Sequence, residues 1–497
     1  MPNDATNKGM IQLYFLCAVA ITNSAVNGYD GSMMNGLSAG RNWNGYFGNP
    51  LDNPALLGLI NAIMSVGSFI GVWTAPYLSD NYGRKKAIII GSLINLVGVA
   101  LQSAAVHVGM FIAARFILGF GIAITGNAAP TLVVEIAHPK YRGTITGLYN
   151  TTWYVGSIIA AWVTFGTVNI DSTWSWRIPS MLQALPSLLQ VSAIYFMTES
   201  PRWLISRGRD EEARDILIRL HGNGDPNDEV VRVEFAEIKE AIAMEQAVSK
   251  REWKELIETP GNRMRTFICI CVGLFSQWSG NGITSYYLTP MMINIGITDP
   301  YKITLINGIK NIVDWIFAVG GTLMLDRIGR RPMFMISMAG MILGYVLVTG
   351  MSAAYNNNPT GPNASAYGQA SVGFIFIYSA FYDIAWTPMT VLYPVEILPF
   401  TIRAKGMAIQ GAAVAIALFF NQYVNPVALA AIGWRYYIVY DIWLLVEFFI
   451  VWRFFKETRN KSLEALAEVF DGPNAALVVA EQHKLEELAN FDHLEKV

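Results

Sequence analysis

The chain has 497 residues, 53% of them hydrophobic and only 14% charged, with a formal net charge of −2. Soluble domains carry about a quarter charged residues, so this composition belongs in a membrane. The three cysteines, Cys17, Cys269 and Cys271, fall inside apolar runs, and the five histidines are scattered, which excludes a disulfide framework and a zinc or catalytic cluster. No cleavable signal is expected, because the first apolar run is long, lacks a basic lead-in and ends in Gly28-Tyr-Asp-Gly31.

A bilayer core requires roughly 20 apolar residues of a helix. Twelve such runs follow one another: 12–35, 56–77, 87–105, 108–134, 144–167 and 179–197, then 266–290, 303–325, 332–352, 371–395, 406–430 and 434–455. The segment between the two sets is polar. In it Asp210–Leu220 and residues 234–257 have the spacing of short amphipathic helices, split by Gly222-Asn-Gly-Asp-Pro-Asn-Asp228. The organisation expected is therefore an N-terminus 1–11, a six-helix bundle 12–197, a helical linker 198–265, a second six-helix bundle 266–455 and a tail 456–497, with one amphipathic run at 476–490.

The two sets echo each other. Leu78-Ser-Asp-Asn-Tyr-Gly-Arg-Lys-Lys86 returns as Leu325-Asp-Arg-Ile-Gly-Arg-Arg-Pro332, with Asp80 and Asp326 lying 246 residues apart. Glu135 to Arg142 returns as Glu396 to Arg403, and Glu199 in Glu-Ser-Pro-Arg-Trp-Leu as Glu457 in Glu-Thr-Arg-Asn-Lys. Three echoes at similar displacement describe a module duplicated in parallel, so the fold expected is all-α, with two pseudo-symmetric membrane bundles. The cations lie on one side: Arg84-Lys85-Lys86, Lys140, Arg142, the linker, Arg327, Arg330, Arg331, Arg403, Lys405 and Arg453 to Lys461. The positive-inside rule then places both termini in the cytoplasm, and Asn363-Ala-Ser365, in a polar loop 353–370, outside as a glycosylation acceptor.

Asp80…Gly83-Arg84-Lys85, Arg115-Phe-Ile-Leu-Gly-Phe-Gly121, Glu199-Ser-Pro-Arg-Trp-Leu204 and Pro394-Val-Glu-Ile-Leu-Pro-Phe-Thr-Ile-Arg403 stand together in one chain. The set resembles the sugar porter family of the major facilitator superfamily over roughly Leu13 to Gly472, and is most like the fungal branch of lactose permeases, cellodextrin transporters and hexose transporters. The resemblance implies the major facilitator fold, transport of a sugar by alternating access and localisation in the plasma membrane.

Arg115 and Asp30 are lone charges inside apolar runs, and such groups pair with one another or face a water-filled cavity. The resemblance assigns them to a proton-coupling pair; a static ion pair or snorkelling is the alternative. Asn150, Gln277 and Asn281 match or adjoin the sugar-binding amides of the family, and an amide suits a sugar because it offers both donors and an acceptor. Trp153, Trp278, Tyr286, Tyr287 and Trp386 offer aromatic faces to a pyranose ring or, alternatively, pack the bundle. The Trp that stacks on the sugar in the tenth helix of many relatives is replaced here by Val391, and the amide expected in the eighth helix is Asp314. Asp314 and Asp383 both fall near mid-membrane, with Lys310 one turn from Asp314. They are sugar-hydroxyl acceptors or second proton sites, with a cationic substrate as a third reading; hydroxyl binding is favoured for Asp383 and Asp314 stays open.

The resemblance also implies that Asp80, Arg84, Glu135, Arg142 and Glu199 with Asp326, Arg330, Glu396, Arg403 and Glu457 form a network that latches the two halves when the cavity faces outside, against which the alternative is topology determinants only. The partners expected are a small sugar and the lipid bilayer, for a monomer with no nucleic-acid role. No cofactor is expected beyond a proton as coupling ion. An enzyme is not expected, since no nucleophile–base constellation lies outside the bilayer. An uncoupled carrier, a carrier of another small polyol and a non-transporting sensor are the rival functions.

Overall fold

The structure is a computed structural model that describes residues 8–138, 142–194, 197–222, 224–248, 253–459 and 463–472. The side chains of Arg142, Asn150 and Asp326, and the run 476–490, lie outside the described residues. Helix is the regular structure throughout the described chain. The first six spans are Lys8–Ala39, Pro54–Tyr82, Arg84–Ser103, Val108–Ile136, Arg142–Thr167 and a sixth made of Trp174–Leu182 and Ala184–Ile194, interrupted at Gln183. The second six begin with a broken seventh (Pro260–Trp278, Asn281–Tyr286 and Leu288–Asn294) and continue as Pro300–Ile328, Arg330–Asn357, Ala364–Ile397, Phe400–Ile432 and Arg435–Phe454. Among the described residues, seven helices are long and apolar enough to cross a membrane. Their outer faces suit a lipid solvent: Trp73 and Leu323 are each 73% exposed, while Asn95 and Gln102 are fully buried.

Packing repeats between the halves. The second span lies on the fourth, the third on the fourth and sixth, and the first on the fifth; the eighth lies on the tenth, the ninth on the tenth and twelfth, and the seventh on the eleventh. The halves join through the second span against the eleventh and the fifth against the eighth.

The three sequence echoes meet in space, once per half. Gly83 (φ 97°) and Gly329 (φ 101°) turn the chain between adjacent spans in a conformation that L side chains resist. A Cβ there would also strike the carboxylates of Glu199 and Glu457 respectively. Glu199 accepts the backbone N–H groups of Arg84 (3.0 Å) and Lys85 (3.2 Å), and Glu457 those of Arg330 (2.9 Å) and Arg331 (3.0 Å). Each glutamate thus caps a helix N-terminus whose first N–H groups have no partner in their own helix. Beside these caps, Arg84 forks onto Glu135 (3.0 and 3.2 Å) and Arg330 onto Glu396 (2.8 Å).

Two sequence expectations shift. The second linker helix runs Glu229–Val248 rather than 234–257, because Asp228 accepts the N–H of Val230 and starts it earlier. The loop expected at 353–370 shrinks to 358–363: the ninth span continues to Asn357, where Asn356 donates to the Ser352 carbonyl, and the tenth starts at Ala364. Asn363 remains exposed at the head of the tenth span. Between the halves, Trp203 donates its indole N–H to the Asp80 carbonyl (2.7 Å), seating the linker on the basic end of the first bundle. His221, on the same linker, lies between Glu234 and the last carbonyl of the fourth span, Ile136 (3.1 Å).

Candidate functional site

The seventh span breaks at Ser279-Gly280, where Gly280 adopts φ 99° with Tyr345 against its α-carbon. The break frees carbonyls at the end of Pro260–Trp278. Tyr382 donates to Ser276 (2.6 Å), Asn421 to Gln277 (2.5 Å) and Tyr378 to Ser279 (2.9 Å), so the helix end is satisfied inside the bundle. The short helix Asn281–Tyr286 is thereby turned toward the first span. Asn35 of the first span clasps it: its amide donates to the Ser285 carbonyl, its Oδ1 accepts from the Leu288 N–H (3.2 Å), and its own carbonyl accepts from Thr289 (2.9 Å).

Below this clasp lies a small cavity between the halves, of about 40 Å³: room for a few waters in this conformation, and less than the roughly 300–1,000 Å³ of an open small-molecule site. Trp153, Tyr154 and Ser157 of the fifth span, Asn281 of the seventh, Lys310 and Asp314 of the eighth and Asp383 of the tenth face it. Its roof is a polar web in which Asn307 and Asn311 both donate to the Ser32 hydroxyl (3.1 and 3.2 Å) and Ser157 bonds Asn311. Its opposite wall is Asp383, which accepts from the Tyr154 hydroxyl (2.5 Å) and from Thr387 (2.9 Å). Lys310 and Asp314 form the expected i,i+4 pair at 2.6 Å. Contacts between the halves thus gather around the cavity and toward the end away from the basic clusters, where Ser65 also bonds Gln422 (2.6 Å).

Asp30 and Arg115 meet one helix away. The guanidinium grips the carboxylate through two bonds (3.2 and 3.1 Å), both residues are buried, and Arg115 also donates to the Ile60 carbonyl (2.7 Å). Gln183 donates to Asp30 (2.9 Å) while accepting from Gln102 (3.1 Å), so a chain of side-chain bonds runs across four spans. The ring of Tyr286 lies against Gly31, between this pair and the cavity.

Of the residues expected at the substrate, Asn281, Asp314 and Asp383 come together at the cavity, as does Trp153. Gln277 and Tyr286 do not face it, and Trp386 is a correction. Its ring is fully buried and packs edge-on against Phe334 (4.9 Å) and Phe275 (6.4 Å), since ten positions before Glu396 the tenth helix points into its own bundle. Of the residues expected in the latch, Arg84 with Glu135 and Arg330 with Glu396 each close within one half in this conformation. Arg403 bonds the Leu398 carbonyl beside its own helix start (3.2 Å), and Asp80 is largely exposed, 3.3 Å from Arg84. The residues missed carry a helical signal: Tyr154 and Ser157 stand four and seven residues after Asn150, and Asn307 and Asn311 seven and three before Asp314. Each set is a polar stripe on one face of an apolar helix. Gln183, a lone amide in an apolar run, was visible in the same way.

A family model described as "Sugar (and other) transporter" matches residues 16–470. The MFS-type transporter criB of Aspergillus cristatus is 30% identical, with 84% of this chain and 85% of that protein covered. The high-affinity glucose transporter of Kluyveromyces lactis is 28% identical over 98% of this chain and 92% of its own. Among solved structures, the inward open conformation of the xylose transporter XylE from E. coli superposes with a TM-score of 0.75 at 21% identity, covering 92% of this chain and 100% of that one. The proton:xylose symporter XylE bound to 6-bromo-6-deoxy-D-glucose gives 0.73 at 24% identity, covering 93% and 100%. The architecture is that of the major facilitator superfamily.

Proposed function

Because the chain belongs to the sugar (and other) transporter family, we propose that it carries a mono- or disaccharide inward with a proton, as a monomer in the plasma membrane. The carrying observation is the closed-topped cavity between the halves, where Asn281, Asp314 and Asp383 present acceptors and donors at hydroxyl-binding depth. Such a site at the meeting of two repeats is what alternating access requires. The relatives named above as glucose and proton:xylose transporters favour a sugar over another polyol.

In this proposal the basic ends of both bundles and both termini face the cytoplasm, following the cation asymmetry. The cavity, sealed by Asn35 and its neighbours at the other end, then faces inward. Asp30 is the proton site: protonation removes the charge that Arg115 grips, loosens the first span from the fourth, and lets the Asn35 clasp part. When the cavity faces outward, the two basic clusters approach and act as the latch between halves. Asn363 is then extracellular and open to glycosylation.

The complete pairing of Asp30 with Arg115 and Gln183 favours one second reading, an uncoupled carrier in which this network is static. Uptake of a labelled sugar panel in a transport-deficient cell, with and without a protonophore, separates the two. Accumulation that the protonophore abolishes supports coupling; flux that only equilibrates supports the carrier. No flux of any sugar refutes both.

A further inference from the structure

The cavity holds more charge than hydroxyl binding needs. Lys310 and Asp314, 4% and 5% exposed, face each other at 2.6 Å and both line the cavity. Asp314 turns its other oxygen, Oδ1, into buried space without a protein partner, and the Ser379 hydroxyl on the same wall is also unpartnered. Asp383, the third charged residue lining the cavity, takes the hydroxyls of Tyr154 and Thr387 both on its Oδ1.

Two amides would offer a sugar the same donors and acceptors. A buried ion pair adds little stability over a neutral pair, so its presence here calls for another role. We propose that Lys310 and Asp314 are the charge-selecting element of the cavity, admitting a neutral polyhydroxy ligand and rejecting charged analogues of the same size. One ligand hydroxyl donates to the free Asp314 oxygen while its neighbour accepts a remaining Lys310 N–H. A uronic acid is rejected because its carboxylate meets those of Asp314 and Asp383, with the local ammonium already bonded. A protonated amino sugar is rejected because it must displace the tethered ammonium from Asp314. Specificity arises here from repulsive elements as much as attractive ones. The inference rests on the reading of this cavity as the sugar site.

The test is counterflow of labelled glucose by the purified full-length protein in proteoliposomes, a readout independent of any proton gradient. Inhibition by unlabelled glucose, glucosamine and glucuronate is compared at a pH where the amine is charged. For the native protein both charged sugars should inhibit about tenfold more weakly than glucose, or worse. Lys310→Gln should improve glucosamine relative to glucose, and Asp314→Asn should improve glucuronate, each by about tenfold. The double variant, balanced again, should return to the native ranking with weaker affinity throughout. Where a single variant loses counterflow, binding of the three sugars to the detergent-purified protein, followed by tryptophan fluorescence, supplies the same ranking. One unvarying ranking across native and variant proteins overturns the assignment. A native protein that exchanges no neutral sugar refutes instead the transport reading beneath it.

Discussion

Asp30→Asn isolates the role of the buried acid. The substitution keeps the volume and one acceptor oxygen, but turns an NH₂ toward Arg115, whose guanidinium holds both carboxylate oxygens at 3.2 and 3.1 Å. Gln183, which donates to the same carboxylate, can still reach the remaining oxygen. Arg115 is 2% exposed, so its charge is left without a counter-ion. Removing one partner of a buried pair costs about 3–5 kcal/mol, and the bond that Asn retains puts this variant near ~3 kcal/mol. That is roughly a hundredfold in any equilibrium that forms the pair on one side only. The variant also mimics a permanently protonated Asp30. In proteoliposomes with an imposed pH gradient, accumulation should fall to simple equilibration while sugar counterflow remains measurable. Undiminished uphill transport would show that Asp30 does not carry the coupled proton.

Three further expectations follow from the geometry. Asn35→Ala removes the side-chain bonds to Ser285 and Leu288 and leaves only the backbone carbonyl's bond from Thr289, so a cysteine placed at Ser32 should react faster with an impermeant maleimide from outside. The native cysteines are all buried and should contribute little background; an unaltered rate would deny Asn35 its clasp. Trp386→Ala should lower stability by about 3–5 kcal/mol through the cavity it leaves, yet leave the half-saturating sugar concentration as it was, measurable as a lowered melting temperature with normal uptake affinity. Glu199 and Glu457 should respond to pH with opposite sign. Burial pushes the Glu199 carboxyl above its ordinary value, so its folded form holds a proton more tightly than the unfolded chain, and stability declines as pH rises from the ordinary value to the raised one. For Glu457 burial also pushes upward, but the N–H groups of Arg459, Arg330, Arg331 and Thr458 together outweigh it and hold the carboxyl below its ordinary value. Its contribution is complete above that ordinary value and is lost as pH falls through the lowered one. Melting curves across the acid range should therefore lose their acid-side decline in Glu457→Gln and their rising-pH decline in Glu199→Gln.

The duplicated architecture was legible because a bilayer leaves few options: every apolar run of sufficient length becomes a span, and three charged echoes could only be helix ends at one surface. Asp30 with Arg115, and Lys310 with Asp314, were legible for the same reason, since charges in such runs must find each other. The breaks were harder. Gly280 stands out as glycine, but what satisfies the carbonyls before it is supplied by Tyr378, Tyr382 and Asn421, roughly a hundred residues or more away. Trp386 shows the limit of residue type: an indole suits a sugar or a hydrophobic core equally, and only its angular position on the helix decides. The two separate charge clusters could not be distinguished from a joined one, because the motif that forms each is the same whichever way the halves tilt.

Glu199 reaches back 115 residues to cap the helix that begins at Arg84, and Glu457 reaches back 127 to cap the one that begins at Arg330. During synthesis neither helix start can be satisfied until the whole of its own half has left the ribosome. Each half therefore carries its finishing stroke at its own trailing edge, and the first can lock before the second exists. A nascent chain halted just past Trp203 would already own the carboxylate that caps this helix, whereas one halted before Glu199 would wait with bare amides at the water's edge.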